Sequence, residues 1–288
     1  MINYNPKIWF TQIFKFPKSD TLRILWKEMV LLGVITAVLT YLEMRYMGDL
    51  HWLKDAIAVY SLVGFVLSLL LVFRTNTAYD RWWEGRKKWG EMVNNTRNLA
   101  LKISAVPGLK EDAVFFRKNI TNYAFALKGH LRSGVNAEEL DVSEDVDNAL
   151  DRAVHVPNAI AKQLFIRLQA CKKDEKITEF DFITFNDTLS NFTDITGACE
   201  RIRNTPMPYS YSLFLKKFIF IYVTTLPLAF VSSFGYGTVL IAVFIFYVLV
   251  SMEILAEEIE DPFGTDDNDL PIDELCEKIK ANVTEILG

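Results

Sequence analysis

Three histidines, three cysteines and one acidic run are the residues of this 288-residue sequence whose types could hold a metal or do covalent chemistry. His51, His130 and His155 stand apart in the chain, in no HExxH pattern and with no cysteine at ligand spacing. They are expected to be structural or surface residues rather than metal ligands. Cys171, Cys199 and Cys276 are odd in number and widely separated, which excludes a disulfide framework and a CxxC pair. Asp80 and Glu84 lie one helical turn apart beside Arg81, and a solvated or subunit-facing helix side accounts for them. GxSxG and Walker motifs are missing, so hydrolase and NTPase chemistry has no signature and the chain reads as a non-enzyme. Carboxylates are concentrated in residues 257–273, EEIEDPFGTDDNDLPID. Such oxygens suit a hard cation and Gly264 permits a tight turn, but the spacing is not that of an EF-hand.

The elements that must position these residues are mostly apolar. The sequence is 51% hydrophobic, which rules out a largely disordered chain, and its formal net charge of −5 argues against nucleic acid as a partner. Residues 218–252 form a stretch of roughly 35 residues without a charge, when about 20 suffice to cross a bilayer. Pro227 and the turn signal Gly235-Tyr236-Gly237 divide it into two antiparallel helices, about 215–232 and 238–252. Residues 56–73 are uncharged and long enough for another span. A fourth, weaker candidate covers 29–42, extended back through Leu25 and Trp26 with Lys27 snorkelling.

Lys15, Lys18, Arg23 and Lys27 precede the first span, Arg74, Arg81, Arg86, Lys87 and Lys88 follow the second, and Lys216 and Lys217 precede the third. The connecting loop 43–55 carries more acids (Glu43, Asp49, Asp55) than bases. By the positive-inside rule both termini are cytoplasmic, and the N-terminal residues show no signal-peptide pattern. The expected location is the plasma or inner membrane, multi-pass. Between the membrane pairs the periodicity is helical: about 77–105 with Tyr79, Trp82, Trp83, Trp89, Met92 and Leu99, then 111–132, a short helix capped by Ser143, one opened by Pro157, and 178–203. The fold class is all-α. Its organisation is 1–73 (N-terminal segment and spans one and two), 74–213 (cytosolic helices), 214–252 (spans three and four) and 253–288 (acidic turn and last helix).

Three segments are more specific than any periodicity. FRTNTAYDRWWEGRKKWG at 73–90 follows the second span, TPMPYSYSLFLKKF at 205–218 precedes the third, and the acidic run follows the fourth. Together they resemble the prokaryotic bestrophin homologues over nearly the whole chain. Arg81-Trp82-Trp83 matches the Arg-aromatic-Trp element and Asp261-Pro262-Phe263-Gly264 the acidic Pro-Phe-Gly element.

The resemblance implies a homopentameric ion channel in the lipid bilayer, with four transmembrane helices per subunit around one central pore. It places a hydrophobic neck on the second span at Phe65, Leu69 and Phe73. Spacing of four sets these on one helix face, where five copies make apolar rings that can gate by dewetting. The alternative is packing against lipid or a neighbouring helix. Met207, between Pro206 and Pro208, matches a cytosolic constriction, the alternative being a helix-breaking connector. Glu258, Asp261 (through its carbonyl), Asp266 and Asp269 match the Ca²⁺ clasp of animal members. Asp261 replaces an Asn of that pattern, and a solvated or salt-bridged turn is the preferred reading here, with bound calcium the alternative. The permeant species are small monovalent ions, cations slightly over chloride on the acidic balance and the external-loop acids. The competing function is a membrane scaffold or sensor. Ile272, Leu275, Ile279, Val283 and Ile286 would then be a docking face, against the preferred reading of packing on a neighbouring subunit.

Overall fold

The computed structural model describes residues 20–46, 52–141 and 153–288, and among them no strand occurs. The expected short helix after Ser143 lies outside the described residues, as does His51. Nine α-helices are described: α1 (Thr21–Tyr46), α2 (Trp52–Ser104), α3 (Ala113–Leu131), α4 (Val156–Lys173), α5 (Glu179–Asn204), α6 (Tyr209–Thr225), α7 (Pro227–Phe234), α8 (Gly237–Glu260) and α9 (Ile272–Leu287). Stretches within Ala56–Ser104, Glu179–Phe234 and Gly237–Glu260 are long and apolar enough to cross a membrane, by length and composition.

The organising element is α2. The apolar run at 56–73 and the aromatic run at 77–105 are one unbroken helix of 53 residues, about 80 Å long. Nothing between them breaks a helix: Arg74-Thr75-Asn76 changes the solvent the helix suits, not its backbone. Its first half packs in an apolar cluster of Leu67 and Leu71 with Leu32 of α1, Leu215, Ile219 and Val223 of α6, and Ala242 of α8. Its second half supports a separate core in which Trp89 and Met92 meet Phe116 and Tyr123 of α3, Leu164 of α4, and Phe185 and Phe192 of α5.

Helix ends follow local chemistry. Thr178 caps α5 in a capping box with Asp181, and Pro107 closes the exit from α2. The expected single helix over 215–232 is instead broken between α6 and α7 at Leu226-Pro227. Proline has no N–H and crowds the carbonyl one turn back, and the carbonyl of Thr225 is taken up by the Tyr60 hydroxyl at 2.8 Å. Gly235 adopts φ +51°, a left-handed conformation that glycine tolerates, and makes the expected turn into α8.

The last helix corrects one expectation. In α9, Ile272, Cys276, Ile279 and Val283 are fully buried in the same core as Trp89 and Phe116, against α2 and α3 of the same chain. Its apolar face is therefore covered from within, and neither a neighbouring subunit nor a docking partner is needed to bury it.

Candidate functional site

Among the described side chains of the first half of α2 one narrow face is covered: Leu67, Leu71, Arg74 and Ala78, at helical spacing, are buried. Phe65, Leu69 and Phe73 lie on the uncovered side, 66%, 44% and 56% exposed in the single chain. The three share a face by their spacing, and the same face continues to Asp80, two turns beyond Phe73 and also exposed. Ser61 and Ser68 bond back to the carbonyls of Ile57 and Gly64 and line a cleft of about 350 Å³ with Tyr222 and Phe244.

Where the apolar stripe ends, the covered face carries a charge. Arg74 is 1% exposed; its guanidinium reaches Glu260 Oε2 at 2.6 Å, Glu253 at 3.6 Å and the sulfur of Met207 at 2.7 Å. Glu260 Oε1 in turn accepts the backbone N–H of Met207. Two turns on, Arg81 donates to the carbonyls of Glu260, Thr205 and Ile202. Two arginines on one face of α2 thus hold both the Thr205–Pro208 connector and the end of α8. Sequence reasoning missed Arg74, Glu253 and Glu260. The available signal was position: Arg74 and Glu253 are the first charges after the two long uncharged runs, and a buried charge there needs a partner.

The acidic turn is anchored at both ends of its apolar content, with Phe263 and Leu270 buried in the core. Leu270 N–H donates to the carbonyl of Pro262, Arg132 to that of Phe263 and the indole of Trp82 to that of Asn268. The turn lies so close to α2 that a Cβ on Gly85 would stand 3.0 Å from Pro262. Of the four residues matched to a clasp, Asp261 and Asp266 are exposed and Glu258 accepts from the Asn268 amide at 2.7 Å. Asp269 is 3% exposed; one oxygen accepts the Asp266 N–H, while Oδ1 is buried without a partner among the described residues. Burial, reinforced by the charges of Asp266 and Asp261, pushes its carboxyl up to about 6. An orphaned carboxylate oxygen beside further carboxylates is a donor set that a hard cation fits.

The histidines are not isolated in space. His130 and His155 both meet Glu200, through contacts of 2.7 and 2.6 Å. Separations of 25, 45 and 70 residues hid this from any motif search.

Long apolar helices, and a buried ion cluster where the uncovered apolar face of one of them ends, define an all-helical membrane protein. The family described as Bacterial/Fungal Bestrophin protein matches residues 1–285. A voltage-dependent anion channel-forming protein of Nostoc sp. is 34% identical over 97% of this chain and 92% of its own length. That of Escherichia coli K12 is 31% identical over 96% and 91%. The crystal structure of a bacterial Bestrophin homolog from Klebsiella pneumoniae superposes with a TM-score of 0.84 at 26% identity, covering 92% of this chain and 98% of that one. The chain belongs to the bacterial and fungal bestrophin family.

Proposed function

We propose that this protein is a homopentameric, non-enzymatic channel for small monovalent ions, with α2 of each subunit lining a central pore. Four membrane-crossing segments, in α1, the first half of α2, α6–α7 and α8, place both termini and residues 74–213 and 253–288 on the cytoplasmic side of the plasma or inner membrane. The observation that carries the reading is the uncovered apolar stripe. Five copies of Phe65, Leu69 and Phe73 would stack as three rings narrow enough to hold or release water. Met207, whose sulfur meets Arg74 on the covered face of α2 and whose N–H meets Glu260, fits the helix-breaking connector between two prolines better than a cytosolic constriction.

Apolar rings do not choose a charge sign; the groups beside them do. Of the external acids expected to favour cations, Glu43 is buried, which removes it from the pore surface. Asp80 takes over that role in the proposal. It is exposed on the face of Phe73, so five copies would set a ring of carboxylates just inside the neck. The proposed preference is for monovalent cations. The second reading, anions, is favoured by the names of the curated relatives. At the acidic turn Asp269, Asp266, Glu258 and the Asp261 carbonyl would hold Ca²⁺ if it binds, cross-linking the end of α8 to the cytosolic core.

Purified protein in a planar bilayer under a salt gradient tests this. Unitary currents that reverse toward the cation equilibrium potential are expected. Silence under all conditions would overturn the channel, and a monomer mass in detergent would overturn the pentamer. Reversal toward the anion potential would overturn the preference alone.

A further inference from the structure

We propose that His130, His155 and Glu200 form a binding site for a divalent transition-metal ion of the zinc class. Three separate helices bring them together. His130 is in the last turn of α3, His155 caps α4 and Glu200 is near the end of α5. Both imidazole Nε2 atoms address one carboxylate oxygen, at 2.7 and 2.6 Å, and the rings stand 4.3 Å apart between centroids. Among the described residues this is the grouping of three such side chains whose ligand atoms all lie within 4.8 Å of one another. Arg203 fixes the strand of backbone beneath it, donating to the carbonyls of His130 and Arg132.

Two imidazoles and one carboxylate are a donor set that zinc takes in tetrahedral geometry, with water in the fourth position. Ligand atoms about 2.0–2.1 Å from such an ion sit about 3.3 Å from one another, so each imidazole–carboxylate contact must open by roughly 0.6 Å. Side chains 26–30% exposed have room to do so and leave an entry path. The same set is poor for Ca²⁺, which prefers oxygen, so the site differs in kind from the acidic turn.

One hydrogen bond opposes the metal and must be outweighed. His155 Nδ1 accepts the Asn158 N–H at 3.1 Å, so its proton sits on Nε2. Coordination through Nε2 moves that proton to Nδ1 and gives up this cap of α4. The loss of one helix cap is small against the free energy of a three-ligand zinc site. In exchange the ion ties α3, α4 and α5 together, independently of whether the protein conducts.

The test uses the full chain in detergent, stripped with a chelator and then dialysed against zinc, with calcium as control. One zinc per chain is expected, with no calcium taken up here. Affinity should fall at least tenfold in both His130→Gln and His155→Gln. Zinc uptake unchanged in the double variant would overturn the proposal, as would no uptake by the wild-type protein. Should the variants fold poorly, anomalous diffraction at the zinc edge from wild-type crystals decides. An ion between the two imidazoles supports the site, and an ion only elsewhere overturns it.

Discussion

Arg74 donates to Glu260 across 2.6 Å from a position only 1% exposed, one residue beyond the exposed ring of Phe73. The pair ties the point where the apolar stripe ends to the end of α8, and through the Glu260–Met207 bond to the proline-flanked connector. Arg74→Met leaves Glu253 and Glu260 without their shared cation. Breaking a buried pair on one side costs about 3–5 kcal/mol, so a large fall in thermal stability in detergent is expected. The double variant Arg74→Met/Glu260→Gln should recover part of it. A single variant as stable as wild type would contradict the cluster's structural role.

This relationship marks the limit of what the sequence made legible. The uncharged runs, the turn at Gly235 and the ends of α4 and α5 could be read locally, because apolar length, glycine and caps act within a few residues. The join of two predicted helices into α2 could not, since a change from apolar to charged residues looks like a boundary while leaving the backbone intact. Arg81-Trp82-Trp83 was visible as a motif, but not its work. Arg81 holds carbonyls more than 120 residues away and Trp82 reaches Asn268 across 186. The meeting of His130 and His155 at Glu200 depends in the same way on three helices packing at once.

The neck assignment separates current from stability. Leu69 and Phe73 are 44% and 56% exposed in the subunit, so truncation opens no cavity in its core. Leu69→Ala and Phe73→Ala should each cost less than about 0.5 kcal/mol in subunit stability, yet raise conductance or open probability in single-channel recordings. Unchanged currents in both variants would remove these residues from the pore.

Asp80 gives the selectivity proposal a separate handle. Replacing five exposed carboxylates with amides in Asp80→Asn removes their attraction for cations without changing the width of the apolar rings. The reversal potential should move toward the anion value, more at low ionic strength than at high, where screening is stronger. An unshifted reversal potential would place Asp80 away from the ion path.

Gly85 controls how closely the acidic turn sits on α2. A Cβ there would meet Pro262 at 3.0 Å and the Phe263 ring at 3.1 and 3.2 Å. Gly85→Val adds two further carbons where both neighbours are buried and cannot swing aside. Overpacking of this kind costs about 1–3 kcal/mol, and the acidic turn should show increased amide exchange before the rest of the chain. Equal protection in variant and wild type would show that the contact yields freely.

Asp112 supplies the clearest pH dependence. It is fully buried, with Lys176 at 2.9 Å, Arg167 in direct contact and the Cys171 sulfur at 3.6 Å. Burial acts to raise its carboxyl, but the hydrogen bonds from Lys176 and Arg167 outweigh it and hold the group below the ordinary range. The Cys171 thiol beside it is pushed up to about 11, first by burial and then by the Asp112 charge, so it stays neutral throughout. A depressed folded-state value contributes stability above the unfolded value near 3.8, and that contribution is lost as pH falls through the folded one. Asp112→Asn should therefore cost about 3 kcal/mol at neutral pH, toward the lower end for a broken buried pair because both cations reach solvent. The gap from wild type should hold steady down to about pH 4 and narrow below it, as the wild-type carboxylate takes up its proton. Melting temperatures of both proteins from pH 7 to pH 3 measure this directly, and a gap that widens in acid would reverse the assignment.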